Sequence, residues 1–240
     1  GKTKDPRISY VKAIADALPG TAAMKNGCIY KDDYIVTWVF GHMLSLKEPE
    51  DYDIGYKSWN INSLPIFFKD WQVKIGKDGN LNKGQISKSQ RVNQIGNLLK
   101  QADEVIHAGD PDDEGQLLID ELLRWFNYKG IVKRLDTANT TLVAMKKALS
   151  HMTDNKPHEP YGWSAYARSV ADLMVGINMS RLFSCKNQTL LTIGRVQTPT
   201  LGLVVNRDLA IEGHHKQKYY PIACDINFNK KAVVLLQKAR

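Results

Sequence analysis

Two hundred and forty residues, 43% of them hydrophobic, suffice for one large domain or two modest ones with a proper core. No run of eighteen apolar residues occurs, Gly1 to Asp5 are polar, and Cys28, Cys185 and Cys224 form no CxxC pair; no membrane span, secretory leader, zinc ribbon or disulfide framework is expected, and the expected compartment is the cytoplasm. Lys and Arg number 33 against 25 acids, and the net charge of +8 leaves open both a polyanionic partner such as nucleic acid and a basic protein without one.

Residues 10–18 set Tyr10, Val11, Ala13, Ile14, Ala17 and Leu18 at helical spacing until Pro19 and Gly20 end the run. Residues 28–30 and 34–40 flank Lys31, Asp32 and Asp33 and read as a hairpin. Residues 41–73 read as irregular, with Tyr52, Tyr56, Trp59, Phe67, Phe68 and Trp71 anchoring loops. A polar connection over 77–88 leads into a helix over 90–101. Strands and helices then alternate: a short buried strand over 104–109 ending in Asp110, and a helix over 114–126 with Leu118, Leu122, Trp125 and Phe126 on one side. A strand over 131–135 and a helix over 142–152 follow. Such alternation predicts a parallel sheet covered by helices. Residues 154–160 contain two prolines and read as a linker. Beyond them Trp163, Tyr166, Val170, Met174 and Ile177 form the stripe of a long helix. Thr198 and Pro199 have the form of an N-cap followed by a proline at the first helical position, opening a helix expected to bury Leu201, Val204, Val205 and Leu209. The tail over 219–236 alternates weakly, as β structure does.

The sharpest local feature is Asp110-Pro111-Asp112-Asp113-Glu114-Gly115, placed where a strand of an open α/β sheet ends and ligands gather. Four carboxylates in five residues repel one another unless a cation joins them. Oxygen donors without His or Cys select a hard ion, and Mg²⁺ takes one or two carboxylates while keeping most of its waters. Asp110 and Asp112 are the candidate ligands, with Glu114 beside them and Asp113 expected in solvent. The alternative is that these acids cap a helix beginning near Glu114, where negative charge is favoured. His107, on the buried strand, is expected to be structural, and His214 and His215 to be exposed.

The run from His107 to Leu118 is similar to the acidic signature of TOPRIM domains in type IA DNA topoisomerases, of the topoisomerase III kind. Val36-Thr37-Trp38 with Gly41-His42-Met43-Leu44 resembles the family's VTW…GHLL segment, and Trp59, Leu64-Pro65-Ile66 and Trp71 its W…LPI…W stretch. Ala167-Arg168-Ser169-Val170-Ala171-Asp172 and Gly176-Ile177-Asn178-Met179-Ser180-Arg181 look like its ARxxAD…GINxTR helix. Ile193-Gly194-Arg195-Val196-Gln197-Thr198-Pro199-Thr200-Leu201 matches its most specific motif nearly letter for letter. The resemblance implies a TOPRIM-like parallel sheet flanked by helices over 1–152, a mostly helical domain over 153–215 and the incomplete start of a β-rich arch over 216–240. It implies transient single-strand cleavage through a 5′-phosphotyrosine, strand passage and religation, with Mg²⁺ as cofactor and single-stranded or negatively supercoiled DNA as partner. Helicase or single-strand-binding proteins are possible companions. By the same resemblance Arg195 and Glu114 are catalytic, and Trp59, Arg168, Asn178, Gly194, Arg195, Val196 and Gln197 contact DNA. For Arg168 an ion pair with Asp172 four residues on is the local alternative, for Trp59 a loop anchor, and for Arg195 a surface arginine beside a helix cap. His42 is expected to pack near the metal site.

Three departures bear on activity. Pro6 stands where the family has the glutamate of its E-K-P-S segment, with Asp5 a substitute acid; Asp113 stands where D-P-D-R-E-G has arginine; and Val170 replaces another arginine. The T-Y-x-R-[TS]-D segment that carries the nucleophilic tyrosine occurs nowhere in the 240 residues, so these residues alone are expected not to cleave DNA. These departures keep open a non-catalytic or degenerate DNA-binding accessory module. Another TOPRIM enzyme, a primase or nuclease, is the remaining alternative.

Overall fold

A computed structural model describes the backbone of residues 6–79, 86–216, 222–228 and 231–237 and the side chains of 10–79 and 86–216. The chain divides into two compact units, 1–194 and 195–240.

The first unit begins with α1 (Pro6–Ala17), which starts at a proline, where the missing N–H costs no helical bond. Its far end is closed by Lys31, a buried residue whose Nζ donates to Ala15 O at 2.6 Å and Leu18 O at 2.7 Å; a cation there also meets the negative end of the helix dipole. Lys31 comes from β2 (Cys28–Lys31), which lies between β1 (Ala23–Lys25) and β3 (Tyr34–Val36) in an antiparallel sheet. The expected hairpin is present, but its second strand stops at Val36. The segment expected to be irregular contains β4 (Leu44–Leu46) and β5 (Val73–Ile75), which pair antiparallel with Leu44 opposite Ile75. Three residues are too few to show alternation, and the partner lies beyond the whole aromatic loop, so local pattern could not reveal the pair.

Helix α2 (Lys88–Leu99) starts two residues before the periodicity suggested, because Ser87 and Gln90 form a capping box. Then β6 (Glu104–His107), α3 (Asp113–Trp125), β7 (Ile131–Arg134) and α4 (Leu142–Ser150) follow in the expected order. Strands β6 and β7 are parallel, with His107 opposite Arg134, but β8 (Thr153–Asp154) joins β7 antiparallel. Among the described residues only that one pair is parallel. The proline-bearing segment 154–160 is built structure and not a linker. After β8 comes the buried Asn155, then a single 3₁₀ turn holding Pro157, then Pro160 in the first turn of α5 (Glu159–Asn187). Both prolines occupy first-turn positions, where no N–H is needed.

One core gathers α1 and α4 through Ala13, Ile14, Leu18, Leu135 and Met145. A second gathers β4, α2 and α3 through Met43, Leu44, Val92, Ile95 and Leu122. The buried face of α3 is partly polar: Gln116, Asp120 and Glu121 lie there with Leu117 and Leu122, while Trp125, expected inside, is exposed. Helix α5 meets this face through Gly162 and Ala165, not through Trp163, which is 49% exposed. A Cβ on Gly162 would come within 3.0 Å of the Asp120 carboxylate, so the helices cross too closely for the large residues to lie between them.

In the second unit α6 (Gln197–Glu212) starts two residues earlier than the Thr198–Pro199 pair suggested, with Val196 as N-cap. Thr200 donates to Val196 O from both its backbone N–H (3.1 Å) and its hydroxyl (2.8 Å). Leu201, Val204, Val205 and Leu209, expected to be buried, are 45–62% exposed. Periodicity identifies a helix; it does not supply the surface that would cover it. Strands β9 (Ile222–Phe228) and β10 (Lys231–Gln237) pair antiparallel, as the weak alternation suggested. Asp5, Tyr219 and Tyr220 lie outside the described residues. No helix among those residues is long and apolar enough to cross a membrane.

Candidate metal and nucleic-acid site

The acidic loop lies where β6 ends and α3 begins. Asp112 is the N-cap of α3: its Oδ1 accepts from Gly115 N–H at 2.6 Å, and its own N–H donates to Asp110 O at 2.8 Å. The turn is so tight that a Cβ on Gly115 would overlap the Asp110 backbone, and one on Gly109 would overlap Gly115 O. Asp112 therefore does cap the helix, as the local alternative had it, yet one cap accounts for only one carboxylate oxygen in a cluster of four acids. Asp110 and Asp112 are exposed, and Asp113 is half-buried where solvent was expected. Among the described residues no three or more His, Cys, Asp or Glu are grouped to hold a metal ion. The donors present suit an ion that takes one or two carboxylates and otherwise water, which is the habit of Mg²⁺ rather than Zn²⁺ or Ca²⁺.

Beneath the loop lies a buried polar network. Arg134, at the end of β7, is 2% exposed, and its NH1 donates to Gly109 O at 2.8 Å and His107 O at 3.2 Å. Its NH2 donates to Asp110 O at 2.8 Å. NH1 also lies 2.9 Å from His107 Nδ1, and a guanidinium can only donate, so Nδ1 accepts and the ring proton sits on Nε2. Nε2 faces Gln116 O at 3.2 Å and Asp120 Oδ1 at 3.6 Å. Asp120 in turn accepts from Gln116 Nε2 (2.9 Å) and Asn155 Nδ2 (3.0 Å). His107 is thus structural, as expected; burial and then the Arg134 charge depress its pKa from 6.5 to about 4. Arg134, Gln116, Asp120 and Asn155 were not singled out from the sequence. The one available signal was the charged pair Lys133-Arg134 in a short strand of a sheet expected to be covered by helices.

Glu114 stands at the meeting of three elements. Its Oε1 accepts from Arg168 NH2 on α5 at 2.6 Å, and its Oε2 lies 3.4 Å from His42 Nε2. The ring's other nitrogen lies 3.5 Å from Glu121 Oε1, a buried oxygen without a hydrogen bond. Glu121 foremost raises the His42 pKa above 6.5, against the opposing effect of partial burial. His42 does pack beside the acidic loop. Arg168 reaches across to Glu114, a partner that neither the DNA-contact nor the intrahelical reading had named.

On the same helix α5, three side chains hold the aromatic loop. Tyr166 OH donates to Trp71 O at 2.7 Å, Arg181 NH1 donates to Tyr56 O at 2.7 Å, and Asn178 clasps Ile66 from both sides. Asn178 Oδ1 accepts from Ile66 N–H at 2.6 Å, and its Nδ2 donates to Ile66 O and Met174 O, both at 2.9 Å. This amide, expected to face DNA, is committed to the loop. Asn178→Ala is expected to lower stability by about 1–3 kcal/mol, since it orphans a buried peptide unit, while single-strand affinity stays within twofold. Urea unfolding and oligonucleotide anisotropy measure the two effects. Trp59 is 42% exposed, with the Arg181 guanidinium 5.4 Å from its ring centre: one side of the indole is held and part of the ring is open.

Two serines on α5 fasten the segment that leads to the Gly194 motif. Ser184 Oγ accepts from Leu191 N–H at 2.9 Å and donates to Leu191 O, and Ser180 Oγ does the same for Ile193. Gly194 ends the first unit; Arg195, Val196 and Gln197 open the second and are exposed.

A Toprim domain family model matches residues 8–145, and a DNA topoisomerase model matches 157–240. The chain is 42% identical over 224 residues to DNA topoisomerase 3 of Vibrio cholerae, covering 89% of this chain and 33% of the relative. It is 38% identical over 231 residues to DNA topoisomerase 3 of Pasteurella multocida, covering 91% and 34%. Among solved structures, full-length topoisomerase I from Thermotoga maritima shares the fold, with a TM-score of 0.58 and 22% identity over 90% of this chain and 31% of that one. The chain spans about a third of the length of these relatives.

Proposed function

The chain belongs to the Toprim family and, with the domain that follows, to the type IA DNA topoisomerases, and from that premise we propose that it holds Mg²⁺ on Asp110 and Asp112 and receives single-stranded DNA for transient cleavage, strand passage and religation. The observation that carries this reading is the 2.6 Å ion pair between Glu114 and Arg168. It joins an acid of the Toprim loop to an arginine of the helix that the family places on DNA.

Phosphoryl transfer needs alignment and cationic stabilisation more than any special functional group. Mg²⁺, when bound, would supply charge neutralisation at the phosphodiester. The chain's own residues do the positioning. Arg168 is 41% exposed, so a phosphate can reach it and compete with Glu114 for the guanidinium. Once released by Arg168, Glu114 still faces His42 Nε2 at 3.4 Å and would accept or return a proton from there. Arg195 would grip a phosphate in bidentate fashion, with Gly194 allowing close approach and Gln197 and the Val196 backbone alongside. The open part of Trp59 suits stacking on an unpaired base. The attacking tyrosine belongs to a T-Y-x-R-[TS]-D segment that these 240 residues do not contain. Helicase or single-strand-binding proteins would be the companions that generate or hold such strands, and a DNA-acting protein with free Cys28 and Cys185 suits the cytoplasm.

Glu114→Gln is expected to raise metal-free affinity for a single-stranded oligonucleotide about threefold, because Arg168 loses its competing anion. Arg168→Ala is expected to reduce affinity and to lower the salt slope by about 0.7, the value for one phosphate contact on a single strand. Fluorescence anisotropy across a salt series reads both, and an unchanged slope in Arg168→Ala overturns the contact.

A second reading, a DNA-binding accessory module without cleavage, is favoured by Asp113, which places a negative charge at the first position of α3 where the family has arginine. Reading the encoding gene for a T-Y-x-R segment separates the two. The topoisomerase match over 157–240 leaves no support for a primase or nuclease.

A further inference from the structure

We propose that Arg134 is the positioning residue of the acidic loop: its buried guanidinium clamps the carbonyls of His107, Gly109 and Asp110, and so sets where the Asp110 and Asp112 carboxylates stand for a divalent cation. The inference deepens, and rests on, the reading that these two acids hold Mg²⁺.

The parallel register pairs Arg134 with His107, so the arginine leaves β7 at the edge where β6 gives way to the loop. At that edge the ladder ends with Leu135 N–H donating to His107 O at 3.0 Å, and the chain must reverse into α3, leaving the Gly109 and Asp110 carbonyls beyond the reach of the sheet. The guanidinium supplies donors to those two in a fixed planar fork, 2.8 Å to Gly109 O and 2.8 Å to Asp110 O, and adds a second donor to His107 O at 3.2 Å. The constraint then passes along the loop. Asp110 O, held by NH2, also accepts the Asp112 N–H at 2.8 Å, and Asp112 accepts Gly115 N–H at 2.6 Å. Arg134 therefore reaches both candidate ligands through backbone alone, without lending its side chain to the cation. The Nε of Arg134 is buried without a hydrogen-bond partner, as expected of a group whose geometry is dictated by three carbonyls ahead of it.

Charge and geometry make opposite demands here. A guanidinium behind an acid cluster repels an arriving cation, so an arginine serving only as a charge would weaken binding. Arg134→Lys keeps the charge and removes the fork, since one ammonium cannot span the same three carbonyls. It isolates the geometric contribution.

The experiment titrates Mg²⁺ into the wild-type chain, Asp112→Asn, Arg134→Lys and Arg134→Gln by calorimetry, with Mn²⁺ and electron paramagnetic resonance as a spectroscopic second reading. Metal-free oligonucleotide affinity is measured alongside. The expected result is an at least tenfold loss of cation affinity in Arg134→Lys with oligonucleotide affinity within twofold. A merely structural arginine would lower both together or neither, and either outcome overturns the proposal. Wild-type affinity that Asp112→Asn does not reduce overturns the metal reading itself, and the inference with it. Amide exchange on the metal-free wild type needs no variant to fold: the N–H groups of Asp112 and Gly115 should exchange as slowly as those of core helix α3. Exchange at the rate of an open loop overturns the clamp.

Discussion

Asp112→Asn is expected to weaken Mg²⁺ binding by more than about a hundredfold, beyond the loss typical of outer-shell partners, while stability at pH 7 changes by less than about 0.5 kcal/mol. The two effects separate because Asp112 does two things. As N-cap it accepts the Gly115 N–H at 2.6 Å, and asparagine accepts that bond equally well. Losing a negative charge from the helix N-terminus costs a few tenths of a kcal/mol. Relief of repulsion within the cluster of Asp110, Asp113 and Glu114 offsets it. What asparagine does not replace is an anionic ligand for a hard cation. Asp112→Ala, by contrast, should lose both the cation and about 1 kcal/mol of stability. Calorimetric titration and urea unfolding of the two variants distinguish cap from ligand. An asparagine variant that binds Mg²⁺ like the wild type would leave Asp112 a helix cap and nothing more.

The second large effect is acid destabilisation centred on His107. An unfolded chain protonates this imidazole below about pH 6.5, whereas the folded chain does so only below about 4. Between those values the unfolded state binds more protons, so stability falls as pH falls. The contribution is complete above pH 6.5 and lost by about pH 4, and its size is about 3 kcal/mol for a fully buried ring. The cause lies in the partners. Protonation would place a hydrogen on Nδ1, facing the Arg134 NH1 at 2.9 Å and replacing an acceptor with a second cation. Asp120 at 3.6 Å offers partial compensation on the other side of the ring. Urea midpoints measured from pH 7 to pH 4 should fall more steeply in the wild type than in His107→Gln, which has no group titrating in this range at that position. Parallel slopes would show that other groups carry the acid sensitivity.

Such a buried network was invisible to pattern reading. The predicted α3 stripe took Leu118, Leu122, Trp125 and Phe126 as the inner face, because apolar spacing is the only burial signal a sequence offers. Leu122 and Phe126 do pack into the core, but the helix also turns Gln116, Asp120 and Glu121 inward, where His107, Asn155 and His42 meet them, and leaves Trp125 exposed. A polar face can be buried once its partners are in place, and those partners come from β6, from the segment after β8 and from the loop before β4. Misassignment on α5 has the same origin. Trp163 and Tyr166 looked like core, but the crossing with α3 is made by Gly162 and Ala165, and the Trp163 ring lies under the Arg124 guanidinium at 4.3 Å.

The candidate site was legible where its chemistry is local. A run of four acids between a strand and a helix can be read directly, since strand, turn and helix N-terminus are consecutive in the chain. The residues that govern the site were not, because Arg134 lies 24 positions from the Asp110 carbonyl it holds and Arg168 lies 54 from Glu114. Asn178 shows the converse: its motif was recognised, yet its amide serves Ile66, 112 positions away.

The sequence by itself determined the family, the order of strands and helices from α2 to α4, and the acids offered to a cation. Each follows from neighbouring residues, whose spacing and charge act within a few bonds. The tertiary structure alone decided which arginine supports the acidic loop, which glutamate Arg168 engages, how β4 finds β5, and that β8 runs against its neighbour. Those outcomes rest on hydrogen bonds and ion pairs between segments distant in the chain, whose strength depends on burial and orientation that no short window of sequence contains.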